Sequence, residues 1–265
     1  MTTDNSSANA NRLPTINDVP QYSVLRWLAL GWQDMRKAGT PSLLHGVIVT
    51  LVSLAIFAIT FFYWELLPGA VSGFVLIGPF LATGLYALSH RLEQGQATSF
   101  HDVIHAWRNG SHCLFFFGLL LMAGATAWVV FSVLMFYLFI DIDINRPLDF
   151  LRYVLTQDDS LFLMWTILGG LGTALAFSIT VVSMPLLVER EVSTKQAILT
   201  SVRAVGTNPL AMLWWSMAIL LITGFSFISL MLGFIVLYPL LGHASWHVYR
   251  DLVNADELPL RQTTD

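Results

Sequence analysis

The segment HASWHVYR at positions 243–250 sets His243 and His247 four residues apart and ends on Arg250. His101 and His105 repeat that spacing. On a helix, residues i and i+4 share a face, so two imidazoles so placed can hold one metal ion between them. Imidazole also ligates copper and haem iron. His243 is the most unusual of the four. It lies inside an uncharged run, and an ionisable group in a membrane span is a functional candidate.

A metal site needs further donors, and His90 is the best third. Aligning Pro79 with Pro239 sets His90 opposite Arg250. His90 then lies roughly 10 Å nearer the surface than His243, at about 1.5 Å rise per residue. It can approach His247 more readily than His243. A site closed by His243, His247 and His90 alone is geometrically poor, so no metal and no cofactor is expected. Copper or haem handling at a histidine rim stays open as an alternative. In the plainer view the pair is structural: one ring bonds a carbonyl freed by Pro239, and the other sits among headgroups beside Trp246 and Tyr249. His101 and His105 read as the solvated face of a surface helix. With His45, His90 and His112, all seven histidines gather toward one side of the protein.

The elements that must position these rings follow from composition. The chain is 55% hydrophobic and 11% charged, against about 25% charged for a soluble domain. So little charge cannot clothe a solvated surface, and the bilayer is the expected solvent. A net charge of -4 excludes a general nucleic-acid binder, which needs a basic face. The single cysteine, Cys113, excludes an internal disulfide framework and a thiolate cluster. Residues 1–20 are polar, lack the apolar core of a signal peptide, and are expected to be a disordered leader.

A spanning helix needs about 20 apolar residues. The uncharged runs predict six spans, near 43–64, 68–88, 114–140, 161–188, 210–226 and 228–248, within a transmembrane domain of residues 21–253. Residues 254–265 form a tail. Tight turns at ELLPG (65–69) and TGFSF (223–227) split neighbouring spans. With six spans, Arg12, Arg26, Arg36, Lys37, Arg91, Arg108, Arg190, Lys195, Arg203, Arg250 and Arg261 share one side, and Arg146 and Arg152 the other. The positive-inside rule places the larger group, and both termini, in the cytoplasm. The acidic segment 141–160 is then external.

The pattern G-[ST]-x-x-L occurs at Gly39, Gly110 and Gly206, each time opening an apolar run. Before each lies an amphipathic stretch, with Val24, Leu28, Trp32 and Met35 in the first, Phe100, Val103, Ile104 and Trp107 in the second, and Ile198, Val202 and Val205 in the third. Ser99 with Asp102, and Ser193 with Gln196, predict capping boxes for the latter two. Pro79, Pro185 and Pro239 fall in the even-numbered spans, where each would kink its helix. The expected fold is all-α: three helical hairpins, each preceded by an interfacial helix lying flat among headgroups.

Function is less determined. No acid or base falls in the middle of any predicted span, which weakens ion-coupled transport. No phosphate loop, nucleophile elbow or zinc-protease motif is present. An enzyme is not expected. The leading expectation is a non-enzymatic accessory or assembly protein of a respiratory or other membrane complex, in contact with the lipid bilayer. A homo-oligomer is a further option. The alternative is a small-solute transporter or channel lined by hydroxyls among Ser72, Thr83, Ser132, Thr173, Ser178, Thr180, Ser183, Ser216 and Ser229.

Three segments, GPFLATGLYALSHRLEQGQ (78–96), MPLLVEREVSTKQAILTSVRAVGTNPLAMLWW (184–215) and LGFIVLYPLLGHASWHVYRDLV (232–253), resemble a proteobacterial family of integral membrane proteins known as a domain of unknown function. The resemblance runs from about Gly39 to Val253. It implies a multi-pass bacterial inner-membrane protein. Some members carry a cytochrome c oxidase subunit I label. That subunit resembles a twelve-helix bundle with six ligating histidines deep in its spans. The six spans and rim histidines expected here do not supply that scheme. The resemblance implies no catalytic residue.

Overall fold

Uncharged apolar runs become helices because backbone in lipid has only itself to bond. The computed structural model describes residues 13–63, 66–139 and 160–261, and among them lie eleven helices and two short strands. Helix α1 spans Ser23–Ala38, α2 Thr40–Phe62, α3 Leu67–Leu81 and α4 Thr83–Glu93. Next come α5 (Phe100–Arg108), α6 (His112–Phe139), α7 (Ser160–Thr180) and α8 (Ser183–Glu189). The last three are α9 (Thr194–Thr207), α10 (Pro209–Ile228) and α11 (Phe234–Leu252). Strand β1 (Thr15–Ile16) pairs antiparallel with β2 (Val253–Asn254).

Among the described residues, four helical stretches are long and apolar enough to cross a membrane: Thr40–Thr60, His112–Phe139, Ser160–Glu189 and Pro209–Ile228. Their outward faces carry exposed Leu51, Phe116, Leu171 and Leu220, which lipid solvates and water would not. This is an all-α integral membrane protein. The external acidic segment expected at 141–160 lies outside the described residues, except Ser160.

The element order repeats three times. A lead helix (α1, α5, α9) precedes a first arm (α2, α6, α10) and a second arm (α3 with α4, α7 with α8, then α11). The joints between lead helix and first arm fall at or beside Gly39, Gly110 and Gly206. Of these, Gly39 has φ +62°, a conformation that favours glycine, and links α1 directly to α2. Both capping boxes form, Ser99 with Asp102 and Ser193 with Gln196.

Packing follows the same repeat. Each lead helix lies on the second arm of the preceding copy: α1 on α11, α5 on α4, and α9 on α7 and α8. The inner segments α4, α8 and α11 pack on one another. They bury Leu85, Leu88, Met184, Leu186 and Leu187 fully, with Leu85 against Gly242. Pro79 sits three residues before the break between α3 and α4. Pro185 lies in the first turn of α8, just after the break that follows α7. Pro239 lies within an unbroken α11.

The carbonyl that Pro239 frees belongs to Ile235, and α2 covers it. A Cβ on Gly46 would lie 2.2 Å from that oxygen and 2.9 Å from Pro239 Cγ. Only a glycine lets the two backbones meet there. At Gly31 of α1 a Cβ would lie 2.6 Å from Ala244 N of α11.

Two of the lead helices, α1 and α9, differ from the expected flat interfacial segments. α1 turns Val24, Trp27, Gly31, Asp34, Met35 and Ala38 inward, and leaves Trp32 44% exposed. α9 buries Ala197, Thr200, Ser201 and Ala204, while Val202 stays exposed. Small residues face in because the close partner is protein, here Ala244 and the backbone of α8. The Ser201 hydroxyl accepts from Val182 N at 3.2 Å, next to the helix break.

Residues 13–20, expected as part of a disordered leader, are held in place. Asn17 N donates to Leu252 O at 2.8 Å, and Asn208 clasps the backbone on both sides of Asp18, accepting from Val19 N and donating to Asn17 O. The tail is held too: Glu191 N donates to Pro259 O at 3.0 Å and Arg261 N to Glu189 O at 2.9 Å.

Candidate functional site

His243 and His247 lie on the face of α11 that meets α1, α2 and α4. His243 is fully buried. Its Nε2 lies 2.7 Å from Ser42 Oγ of α2, and its Nδ1 lies 2.7 Å from Ser89 Oγ of α4. Ser89 donates its hydroxyl hydrogen to Asp34 Oδ2 of α1 at 2.8 Å. His247 Nε2 reaches the same oxygen at 2.8 Å. Four helices and five polar side chains therefore form one connected chain.

The chain has a direction. Ser89 has one hydrogen and gives it to Asp34, so it accepts from His243 Nδ1–H. His243 Nε2 then carries a lone pair, and Ser42 donates to it. Every hydrogen in the chain points toward Asp34. Burial by itself would raise the Asp34 carboxyl, but the bonds from His247 and Ser89 outweigh it and hold the group below its ordinary range. The ionised carboxylate fixes the tautomer and orientation of everything attached to it.

This arrangement corrects two expectations. His243 bonds serines of neighbouring helices, not a carbonyl freed by Pro239. His247 bonds Asp34 and does not sit free among headgroups. His90 turns elsewhere: its ring tilts on Trp246 at 5.1 Å, its Nε2 lies 2.9 Å from Gln94 Nε2, and its Nδ1 stands 4.0 Å from Glu189 Oε1. Burial lowers its pKa more than Glu189 and Glu93 raise it. Among the described residues, no group of three or more His, Cys, Asp or Glu side chains is placed to hold a metal ion. His101 and His105 are adjacent but on the surface, with ring centroids 6.1 Å apart, and His105 bonds Asn109.

His45, one turn after Ser42 on α2, is 1% exposed. It bonds the Leu81 carbonyl at the break after α3, and its Nε2 has no hydrogen-bond partner. Its ring stacks on Tyr238 of α11 at 5.9 Å and meets Trp107 edge-on at 5.5 Å.

Toward the chain ends, a second network surrounds Glu189. Tyr249 donates its hydroxyl to Glu189; Arg250 Nη1 reaches that carboxylate at 3.1 Å and Arg190 Nε at 3.2 Å. Arg250 also reaches Glu93 at 3.1 Å, as does Trp246 Nε1. Arg190 Nη1 bonds Leu258 O at 2.7 Å. The second arms of all three copies and the tail are thereby tied together.

The hydroxyls proposed as a transport lining are otherwise engaged. Thr83, Ser178, Thr180, Ser183, Ser216 and Ser229 each bond a carbonyl three or four residues back in their own helix region. Ser132 accepts from Trp165 Nε1 at 3.0 Å, and Thr173 is exposed. The Ser72 side chain lies outside the description. Asp34, Ser42 and Ser89 were not singled out from the sequence. A signal existed for Asp34: with Trp27, Gly31 and Ala38 it forms the i, i+4, i+7, i+11 face of one helix.

The fold and this site define a polytopic helical membrane protein with a hydrogen-bonded polar core at one end of its bundle. Residues 66–189, from just before α3 to the end of α8, match the model of the family described as Predicted integral membrane protein (DUF2189). No curated protein and no solved structure matches the chain. The family segment contains Ser89, Glu93 and Glu189, while Asp34, Ser42 and His243 lie on either side of it.

Proposed function

We propose that the chain is a six-span bacterial inner-membrane protein of three hairpins, with both termini cytoplasmic, acting as a non-enzymatic accessory or assembly component of a membrane complex. One observation supports the topology most directly. The pairing of β1 with β2 supports an even number of spans, with residues near both ends of the chain on one face of the membrane. The Arg190, Arg250 and Arg261 network gathers at that same end, in keeping with the cationic side being cytoplasmic. The engagement of most polar side chains within the protein, and the apolar packing of α4, α8 and α11, favour a scaffold over a site of chemistry.

Reporter fusions test the topology. Alkaline phosphatase fused after Asp149 should be active and after Val253 inactive; the reverse pattern overturns it. Native gels of solubilised membranes test the role. Migration only at the size of the lone protein or its homo-oligomer counts against an accessory component.

A further inference from the structure

We propose that two protomers pair in the membrane, with α10 of each packed along α7 of the other. This goes beyond the accessory role and rests on the three-hairpin topology, which the reporter fusions test separately from the cross-links below. The internal repeat says what kind of element covers α7. In two of the three repeat units the second arm is sheathed by the first arm of the next unit: α6 lies along α3, and α2, closing the ring, lies along α11. No residue of α11 is exposed, and no described side chain of α3 is. The equivalent cover for α7 is α10, which leans on α1 and α11 instead. α7 is bare as a result. Between Ser160 and Leu175 only Leu161 is buried, and residues 170–175 are all exposed. That run is longer than one turn of about 3.6 residues, so every side of the helix is open there. A span that only walls a bundle shows lipid one side.

Both covered seams close over glycine. A Cβ on Gly118 of α6 would lie 2.3 Å from the Phe80 ring of α3, as one on Gly46 of α2 would lie 2.2 Å from Ile235 O of α11. On α7, Gly169 is taken by Trp128 of α6, while a Cβ on Gly170 or Gly172 meets nothing within 4 Å. Neither α7 nor α10 carries a charged residue. In lipid such helices associate by close van der Waals packing, for which small residues make room. α10 offers the large side chains: Leu213, Met217 and Leu220 share one face by their spacing and are exposed. Its other side is committed within the chain. Trp215 meets Trp27 of α1 edge-on at 5.9 Å, and Ala211 and Met212 are buried. The cover for α7 therefore comes from a second protomer. First and second arms of a hairpin run in opposite directions, so a protomer inserted the same way brings its α10 antiparallel to α7, the sense of the two covered seams. A half-turn about the membrane normal makes the two contacts reciprocal and closes the dimer.

The test is disulfide cross-linking of the full-length chain in native membranes, with Cys113→Ser removing the single native thiol. Gly170→Cys, Leu171→Cys, Gly172→Cys and Thr173→Cys, which at about 100° per residue sample every side of α7, are made in turn in a chain with one tag. Each is co-expressed with Leu220→Cys in a chain with a second tag. Oxidation should join the two tags in one band for at least one pair. Photobleaching of fluorescently tagged wild type in liposomes should show two steps. Gly170→Leu, whose side chain meets no atom of its own protomer, should weaken pairing about tenfold or more. Gly124→Leu, equally open but on α6, should leave pairing unchanged. Thermal melting of each variant confirms that it is folded. Wild type that bleaches in one step overturns the dimer, and this arm needs no variant. Absence of a joined band for all four pairs, or a band to a different protein in its place, overturns the second protomer as the cover. So does a disulfide within one chain that carries both cysteines. Undiminished pairing in folded Gly170→Leu overturns α7 as the interface.

Discussion

The crossing of α1 over α11 makes a sharp demand on the fold. At Gly31 a methyl group would lie 2.6 Å from Ala244 N, and 2.8 Å from both Ala244 Cα and Ala244 Cβ. Two of these three atoms are backbone, so no rotamer relieves the clash. Restoring ordinary contact in Gly31→Ala needs about 1 Å of separation between the helices, and over-packing of this kind costs about 1–3 kcal/mol. The shift has a second effect. Asp34 and His247 each lie three residues beyond the crossing, and their 2.8 Å bond stretches past hydrogen-bond range. A hydrogen bond to a charged group contributes about 1.5–3 kcal/mol, less here because His247 is partly exposed. The expected loss is about 2–5 kcal/mol, or roughly 5–15 °C in melting midpoint for a chain of this size. Cys113 is the single cysteine and half-buried, so a thiol-reactive dye reports unfolding without an added label. Gly206→Ala is the control. A Cβ there meets open space on a helix, and alanine should stabilise by about 0.5–1 kcal/mol. A Gly31→Ala protein that melts with the wild type would refute the close crossing, and with it the docking of Asp34.

Glu189→Gln keeps the shape of the second network but leaves Arg190 and Arg250 facing a neutral group; it should destabilise by about 3 kcal/mol in chemical denaturation, and a change near zero would mean the cations are solvated. His90 is kept neutral in the fold, its pKa lowered from 6.5, so the native state resists its protonation. Its contribution is complete above pH 6.5 and declines as pH falls below that value toward the folded pKa. Melting temperature should drop with acidification in that window, and His90→Gln should make the slope shallower; an unchanged slope would place His90 in a solvated setting.

Local features of the fold were legible because their causes are local. The Ser99 and Ser193 caps, the lead helices and the glycine joints each depend on residues a few positions apart, and each stands where its signal stands. The inward face of the lead helices was not. Large apolar side chains suggested a stripe toward lipid, but close helix contact selects small residues, and glycine and alanine carry little weight in an apolar pattern. The site depends on contacts across the whole chain. Asp34 and His247 are 213 residues apart, Ser42 and His243 201, and Ser89 and His243 154. No spacing rule reaches so far.

The absence of acids from the middle of the spans was read as weakening ion-coupled functions, and here tertiary structure changes the inference. A carboxylate in the centre of a span opposes insertion of that helix, by about 2.5–3.5 kcal/mol for aspartate. An acid carried on a lead helix does not meet that cost, because its helix does not cross the bilayer. It reaches the buried end of the bundle only when the lead helix docks, at a glycine that lets backbones touch, against hydroxyl and imidazole groups that complete its bonding. Asp34 follows this route, with Gly31 one turn earlier and with Ser89 and His247 as its partners. A buried acid–histidine pair can thus form in a membrane protein whose spans are free of charge, and the place to search for it in a sequence is the inward face of the helix before the first span.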